Sequence, residues 1–201
     1  MQGASKLAMT ESRRTDVGDS GRASADARRL GLRYHPFYCE ENAWWLCGEP
    51  VLADGDATVV LISATAGCCP FAEQRAAPPG RVVWWDYHVV VLDAERRIWD
   101  LDTRLPLPVA ALVWLDRTFP AADRLPAPFS PRFRLAPCRE YRRDFASDRS
   151  HMRDADGRWR RPPPPWPPIG TGMSLQRFVD PIADRPGVLV DARELRRRLS
   201  D

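Results

Sequence analysis

The sequence predicts an α+β fold in a single domain, and three observations carry that expectation. The chain has 201 residues, the size of one domain and enough to bury a core. Two runs rich in β-branched and aromatic residues, Val82–Leu92 and Ile98–Leu101, flank a short polar break at Asp93–Arg97. This is the pattern of an antiparallel hairpin with an odd-length or bulged turn. Amphipathic and apolar helical stretches lie on both sides of it, and a 44% hydrophobic content with eight tryptophans fits a folded globule.

In chain order, residues 1–30 are rich in Ser, Asp, Arg, Ala and Gly and hold almost no large apolar groups. They contain no apolar stretch of the kind a secretory signal needs, and we expect a mobile tail. The folded domain is expected over residues 31–201, starting near Leu32. Tyr34–Tyr38 should be extended, because Pro36 keeps its predecessor out of helix. Cys39–Cys47 reads as a short helix with Glu40 and Glu41 in its first turn, where the helix dipole favours acids, and Gly48 and Pro50 end it. Thr58–Ala64 reads as an apolar strand and Gly67–Gly80 as a loop. After the hairpin, Pro106 and Pro108 break the sheet. Val109–Phe119 reads as a buried helix, Arg132–Ala136 as a strand and Arg139–Phe145 as a helix. Ser147–Trp159 is polar and turn-rich. Pro162–Pro165, Trp166 and Pro167–Pro168 should form extended polyproline. Leu175–Val179 and Asp191–Leu199 complete the chain as short helices.

Composition narrows the function classes. A formal net charge of +3 gives no electrostatic case for a nucleic-acid or anionic-membrane partner. Basicity is almost wholly arginine, Lys6 being the only lysine. No apolar run is long enough to span a bilayer. Five cysteines is an odd count and none sits in a Cys-x-x-Cys spacing. That disfavours structural zinc and a full disulfide framework, and suggests a reduced, cytoplasmic setting.

The hairpin also carries the first hint of chemistry. Side chains alternate along a strand, so His88 shares a face with Trp84, Asp86, Val90 and Leu92. Ile98, Asp100 and Asp102 share a face on the returning strand. A turn of residues 93–95 sets His88 opposite Asp100, and a turn of 94–96 sets it opposite Asp102. Either register gives an imidazole paired with a carboxylate, the orienting half of a nucleophilic triad. The bland alternative is a core histidine satisfied by a backbone carbonyl.

Cys39 is the candidate nucleophile. It opens a helix, where unpaired N–H groups and the dipole stabilise a thiolate, although free cysteines are more often inert core residues. Cys47 reads as core, Cys68 and Cys69 as loop thiols, and Cys138 as a weaker rival. His35 and His151 lie in surface-like segments with no strand to hold them.

Several blocks then occur in a telling order: Tyr38-Cys39-Glu40-Glu41-Asn42, Trp85-Asp86-Tyr87-His88-Val89-Val90, Asp100-Leu101-Asp102-Thr103, Phe145-Ala-Ser-Asp-Arg-Ser-His-Met152 and the Pro162–Pro165 run. Together they resemble the protein N-terminal glutamine amidohydrolase family, from about Tyr34 to the C-terminal helix. The resemblance implies a mainly antiparallel sheet flanked by helices, in a papain-like or transglutaminase-like architecture. It implies a catalytic triad of Cys39, His88 and Asp100, and so the register that sets His88 opposite Asp100. It also implies that the side-chain amide of N-terminal glutamine is hydrolysed to glutamate and ammonia, with no metal or organic cofactor, by a monomer acting on peptides or proteins with a free N-terminus. In the family the product feeds an N-degron pathway. A peptide α-ammonium entering a partly desolvated pocket needs a negative charge. Glu40, Glu41, Asp86 and Asp148 are the acids nearest the motifs and the candidates to bind it.

Overall fold

In the computed structural model, residues 25–53, 56–182 and 187–201 are described. The β elements are β1 (Thr58–Ser63), β2 (Cys69–Phe71), β3 (Val83–Trp85), β4 (Tyr87–Leu92), β5 (Arg97–Trp99), β6 (Val109–Ala110), β7 (Arg132–Pro137) and β8 (Val188–Asp191). The helices are α1 (Ala25–Arg29), α2 (Cys39–Leu46), α3 (Pro50–Ala53), α4 (Ala111–Thr118), α5 (Cys138–Asp144), α6 (Leu175–Val179) and α7 (Ala192–Ser200).

Six strands form one sheet in the order β6-β5-β4-β1-β7-β8, with every pairing antiparallel. β2 and β3 form a separate two-stranded sheet. The central strands β1 and β4 are apolar on both faces, as strands covered on both sides must be. Val59, Leu61, Val89 and Val91 meet Ala43 and Leu46 of α2, Tyr141 of α5 and Phe178 of α6. Val60, Ile62 and Val90 face Trp114 and Leu115 of α4 and Leu195 and Leu199 of α7. The expected class, α+β with a mainly antiparallel sheet flanked by helices, is the one observed. No helix among the described residues is long and apolar enough to cross a membrane.

Several expectations change in detail. Residues 25–29, expected within the tail, form the helix α1, and Ala27 is fully buried in the core; the rest of the expected tail, residues 1–24, lies outside the described residues. The run Val82–Leu92 is two strands, not one. It breaks at Asp86, so Trp84 belongs to the small sheet and His88 to the large one. β2 falls in the expected loop, β6 at the start of an expected helix, and β8 in a stretch given no element beyond Asp191, the expected start of the last helix. Each is only two to four residues long, too short for a period-2 pattern to stand out. Asp191 is the N-cap of α7, where its side chain accepts from the Glu194 N–H at 2.8 Å.

The register of the central hairpin also differs from the one the resemblance implied. Val91 pairs with Trp99 and Leu92 with Ile98, the Asp93 N–H donates to the Arg97 carbonyl at 3.0 Å, and the turn is therefore residues 94–96. Its last residue, Arg96, has φ 58°, the left-handed position of a three-residue hairpin loop. The Asp93 carboxylate fastens this turn, accepting from Arg97 N, Arg97 Nε and Trp99 Nε1, each at 2.8 Å. Extended further, this ladder would set His88 opposite Asp102. It does not extend, because β5 ends at Trp99 and the chain turns away.

Candidate active site

The turn that follows β5 builds the site. Gln74 and Thr103 form an isolated β-bridge, the Arg75 guanidinium donates to the Thr103 carbonyl at 2.8 Å and to that of Leu101, and the Arg75 N–H donates to the Asp102 carbonyl at 2.9 Å. Held this way, the Asp100 side chain reaches back to His88. Asp100 Oδ1 lies 2.9 Å from His88 Nε2 and accepts from the Asp102 N–H at 3.0 Å. Oδ2 accepts from Gln74 Nε2 and Trp114 Nε1, both at 3.0 Å. Asp100 is fully buried and His88 nearly so. The imidazole is packed on two sides, tilted against Trp85 and edge-on to Phe71.

Burial disfavours the charged form of both partners, and their mutual attraction outweighs it. Burial alone would raise the Asp100 pKa, yet the His88 charge, the His88 hydrogen bond and those from Trp114 and Gln74 hold it down at about 2. Burial would lower the His88 pKa, and the charges of Asp100, Asp102 and Glu40 raise it instead. His88, Asp100 and Asp102 offer ligand atoms within 4.8 Å of one another, a spacing that could hold a metal ion. Both Asp100 oxygens, however, are already met by four N–H donors. That is the environment of an orienting carboxylate rather than of an open ligand.

Cys39 is the first residue of α2, which packs Ala43 and Leu46 toward Val89, Val91 and Trp99. Its sulfur donates to Glu40 Oε2 at 3.7 Å, and among the described residues it makes no hydrogen bond to His88. Cys39 and His88 nonetheless line one cavity of about 240 Å³, together with Trp85, Asp86, Tyr87, Asp102 and His151. The Cys39 thiol is pushed well above its ordinary pKa. Burial is the main cause, the charges of Glu40, Asp102 and Asp86 add to it, and the Val89 N–H facing the sulfur works the other way.

The four acids considered for ammonium binding separate. Glu41 is fully buried and paired bidentately with Arg149, both oxygens at 2.8 Å, and also accepts from Trp166 Nε1 at 2.7 Å. Arg149 in turn donates to the carbonyls of Trp166 and Pro167, so this pair anchors the proline-rich segment. Asp148 is exposed and accepts from the Ser150 N–H at 2.9 Å. Glu40 is fully buried behind Cys39, with Tyr87 donating to Oε2 at 3.2 Å and His151 Nε2 lying 3.3 Å from Oε1. Asp86 alone of the four lines the cavity. It is exposed, and also borders a neighbouring cavity of about 340 Å³ that reaches Arg177 and Asp180.

Sequence reasoning missed Gln74, Trp114, Tyr87 and His151. Gln74 and Trp114 act on Asp100 from 26 and 14 residues away, a separation that no local pattern reports. Tyr87 was visible only as a strand residue and as part of the Trp-Asp-Tyr-His block. The one available signal for His151 was its place in the Ser-Asp-Arg-Ser-His-Met block. Its neighbours are polar, and its contact with Glu40 crosses more than 100 residues of chain.

With this geometry in hand, the comparisons with known proteins are informative. Residues 34–199 match the model of the family described as N-terminal glutamine amidase. The chain is 39% identical over 163 residues to protein N-terminal glutamine amidohydrolase from Homo sapiens, covering 77% of this chain and 80% of that protein. Proteins of the same name from Danio rerio and Arabidopsis thaliana are each 36% identical, over 163 and 157 residues. The Arabidopsis match covers 72% of this chain and 70% of its relative.

Proposed function

The chain belongs to the N-terminal glutamine amidase family, and from that premise we propose that it hydrolyses the side-chain amide of an N-terminal glutamine through a thioester on Cys39. The observation that carries this reading is that His88, held from behind by the buried Asp100, opens onto the same cavity as Cys39. Asp100 accepts a hydrogen bond from the N–H at His88 Nε2, which leaves Nδ1 as the basic nitrogen. His88 takes the thiol proton through Nδ1 as the sulfur attacks the amide carbon, then passes it to the departing nitrogen, releasing ammonia. Water, deprotonated by the same nitrogen, hydrolyses the thioester to give glutamate and the free thiol. Asp100 fixes the tautomer and stabilises the imidazolium in both halves of the reaction. The tetrahedral oxyanion needs N–H donors, and the Cys39 backbone N–H at the start of α2 is the nearest by chain position.

Selectivity for a free N-terminus falls to Asp86. Of the four acids weighed, Glu41 is engaged by Arg149, Glu40 is enclosed and Asp148 faces solvent. Asp86 can meet an α-ammonium at the cavity wall, two residues from His88. All five cysteines are free thiols, which supports a cytoplasmic enzyme, and we place it there as a monomer. The test is ammonia release from a Gln-initiated peptide and from its N-acetylated twin. Release from the first alone supports the reading, and release from both at similar rates contradicts it.

A further inference from the structure

Two carboxylates follow the nucleophile, and they are treated differently. Glu41 has a guanidinium and an indole N–H to satisfy it. Among the described residues Glu40 has no arginine partner. Its Oε2 takes two weak acids, the Cys39 S–H at 3.7 Å and the Tyr87 O–H at 3.2 Å. Its Oε1 is buried without a hydrogen bond, although His151 Nε2 stands 3.3 Å away. A fully enclosed carboxylate so poorly compensated is expensive to keep, and a helix-dipole role would be served as well by an exposed acid. What distinguishes its position is the sulfur. Cys39 shares a cavity with His88 yet gives its hydrogen bond to Glu40.

We propose that Glu40 is a positioning residue that holds the Cys39 thiol, as S–H, in a resting rotamer turned away from His88. The idea rests on Cys39 being the nucleophile and adds a resting state to that reading. Turnover then begins with rotation of the sulfur from Glu40 to His88, the S–H bond staying intact until His88 Nδ1 takes the proton. Between turnovers the nucleophile is kept from electrophiles and oxidants that lack the substrate's fit.

The groups that face the sulfur set what must be controlled in a test. They are Glu40 on its own helix, Asp86, Tyr87, His88 and the Val89 N–H on or beside β4, Asp102 in the turn after β5, and His151 and Arg160 from the loop beyond α5. The experiment is iodoacetamide labelling of the full chain across pH, read by mass spectrometry on the Cys39 peptide alone. Glu40→Gln removes the charge and should move the labelling midpoint to lower pH, with labelling near neutrality faster by about tenfold or more. Glu40→Asp draws the charge back and should fall between the two. Faster labelling supports the proposal only where the melting transition is retained, because a loosened fold would also expose the buried thiol. A Glu40→Gln midpoint unchanged or raised, with the melting transition retained, overturns the proposal. Should Glu40→Gln fail to fold, the infrared S–H stretch of the unsubstituted protein decides, isolated by subtracting the Cys39→Ser spectrum. A frequency below that of a free thiol supports the parked state, and a free-thiol frequency overturns it. Neither measurement needs turnover, so failure to deamidate a Gln peptide would reject the proposed function separately.

Discussion

His88 Nε2 and Asp100 Oδ1 stand 2.9 Å apart, although the hairpin ladder, extended, would bring Asp102 opposite His88. Strand pairing alone therefore selects the wrong carboxylate. The turn after Trp99 selects the right one, because Gln74, Arg75 and Thr103 fasten it and Asp100 gains four donors. Asp100→Asn would place an amide N–H₂ where donors already converge and support the wrong histidine tautomer. It should lower kcat by about 10³–10⁴-fold. Asp102→Asn should cost about tenfold or less, since Asp102 accepts from Tyr34 and touches His88 only through its charge. Steady-state kinetics on a Gln peptide compares the two, and a larger loss for Asp102→Asn would mean that the ladder rather than the turn assigns the partner.

The same pair predicts how stability depends on pH. Asp100 is held at about 2 against an ordinary 3.8, so its contribution is full above 3.8 and is lost as pH falls toward 2. His88 is raised above its ordinary 6.5, so its contribution is full below 6.5 and is lost as pH rises through the folded value. The stability advantage of the wild type over Asp100→Asn should therefore be widest between these two ordinary values and shrink on either side. Thermal melts of both proteins across pH check this, and a gap that keeps growing above neutrality would contradict it.

Much of the fold was legible in the sequence, and the reasons are particular. α2 could be read because Cys39–Leu46 is closed by Gly48 and Pro50. β1, β4 and β7 could be read because each is six residues long, rich in apolar or β-branched groups, and bounded by polar or turn residues. The break at Asp86 could not be read, since the aromatic and β-branched run continues through it and only pairing with β2 or with β1 divides it. Cys39 and His88 stood out as candidates from local type and position, whereas Asp100 could be preferred to Asp102 only through the family resemblance. The residues that govern them were not legible: Gln74, Trp114, Tyr87 and His151 act across the fold. The hairpin register was narrowed to two choices by alternation and then settled by Arg96 adopting positive φ, which an arginine does not advertise.

Arg149 and Glu41 form a buried, bidentate pair that also ties down the proline-rich segment. Arg149→Met leaves the Glu41 carboxylate enclosed without its cation and should destabilise the protein by about 3–5 kcal/mol. Urea unfolding measures the loss. Limited proteolysis should show earlier cleavage around Pro162–Pro168 in the variant than in the wild type. A stability change below about 1 kcal/mol, the range of an exposed ion pair, would show that the segment is held by other contacts.

Asp86→Asn keeps the shape of the cavity wall and removes its charge. It should raise KM for Gln peptides about tenfold or more and narrow the preference for free over acetylated N-termini, while Cys39 labelling quickens less than in Glu40→Gln, Asp86 being the weaker of the charges that raise the thiol pKa. A wild-type KM with full rejection of the acetylated peptide would move ammonium recognition to backbone carbonyls or to Asp102.

The central claim, that Cys39 deamidates glutamine only at a free N-terminus, is tested most directly by mass spectrometry. The sample is an equimolar mixture of a Gln-initiated peptide carrying a second, internal glutamine and its acetylated twin, incubated with wild type or Cys39→Ser. The account predicts a deamidation mass change at position one of the free peptide alone, and none with Cys39→Ser. Deamidation of the internal glutamine or of the acetylated twin, or undiminished turnover by Cys39→Ser, would contradict it.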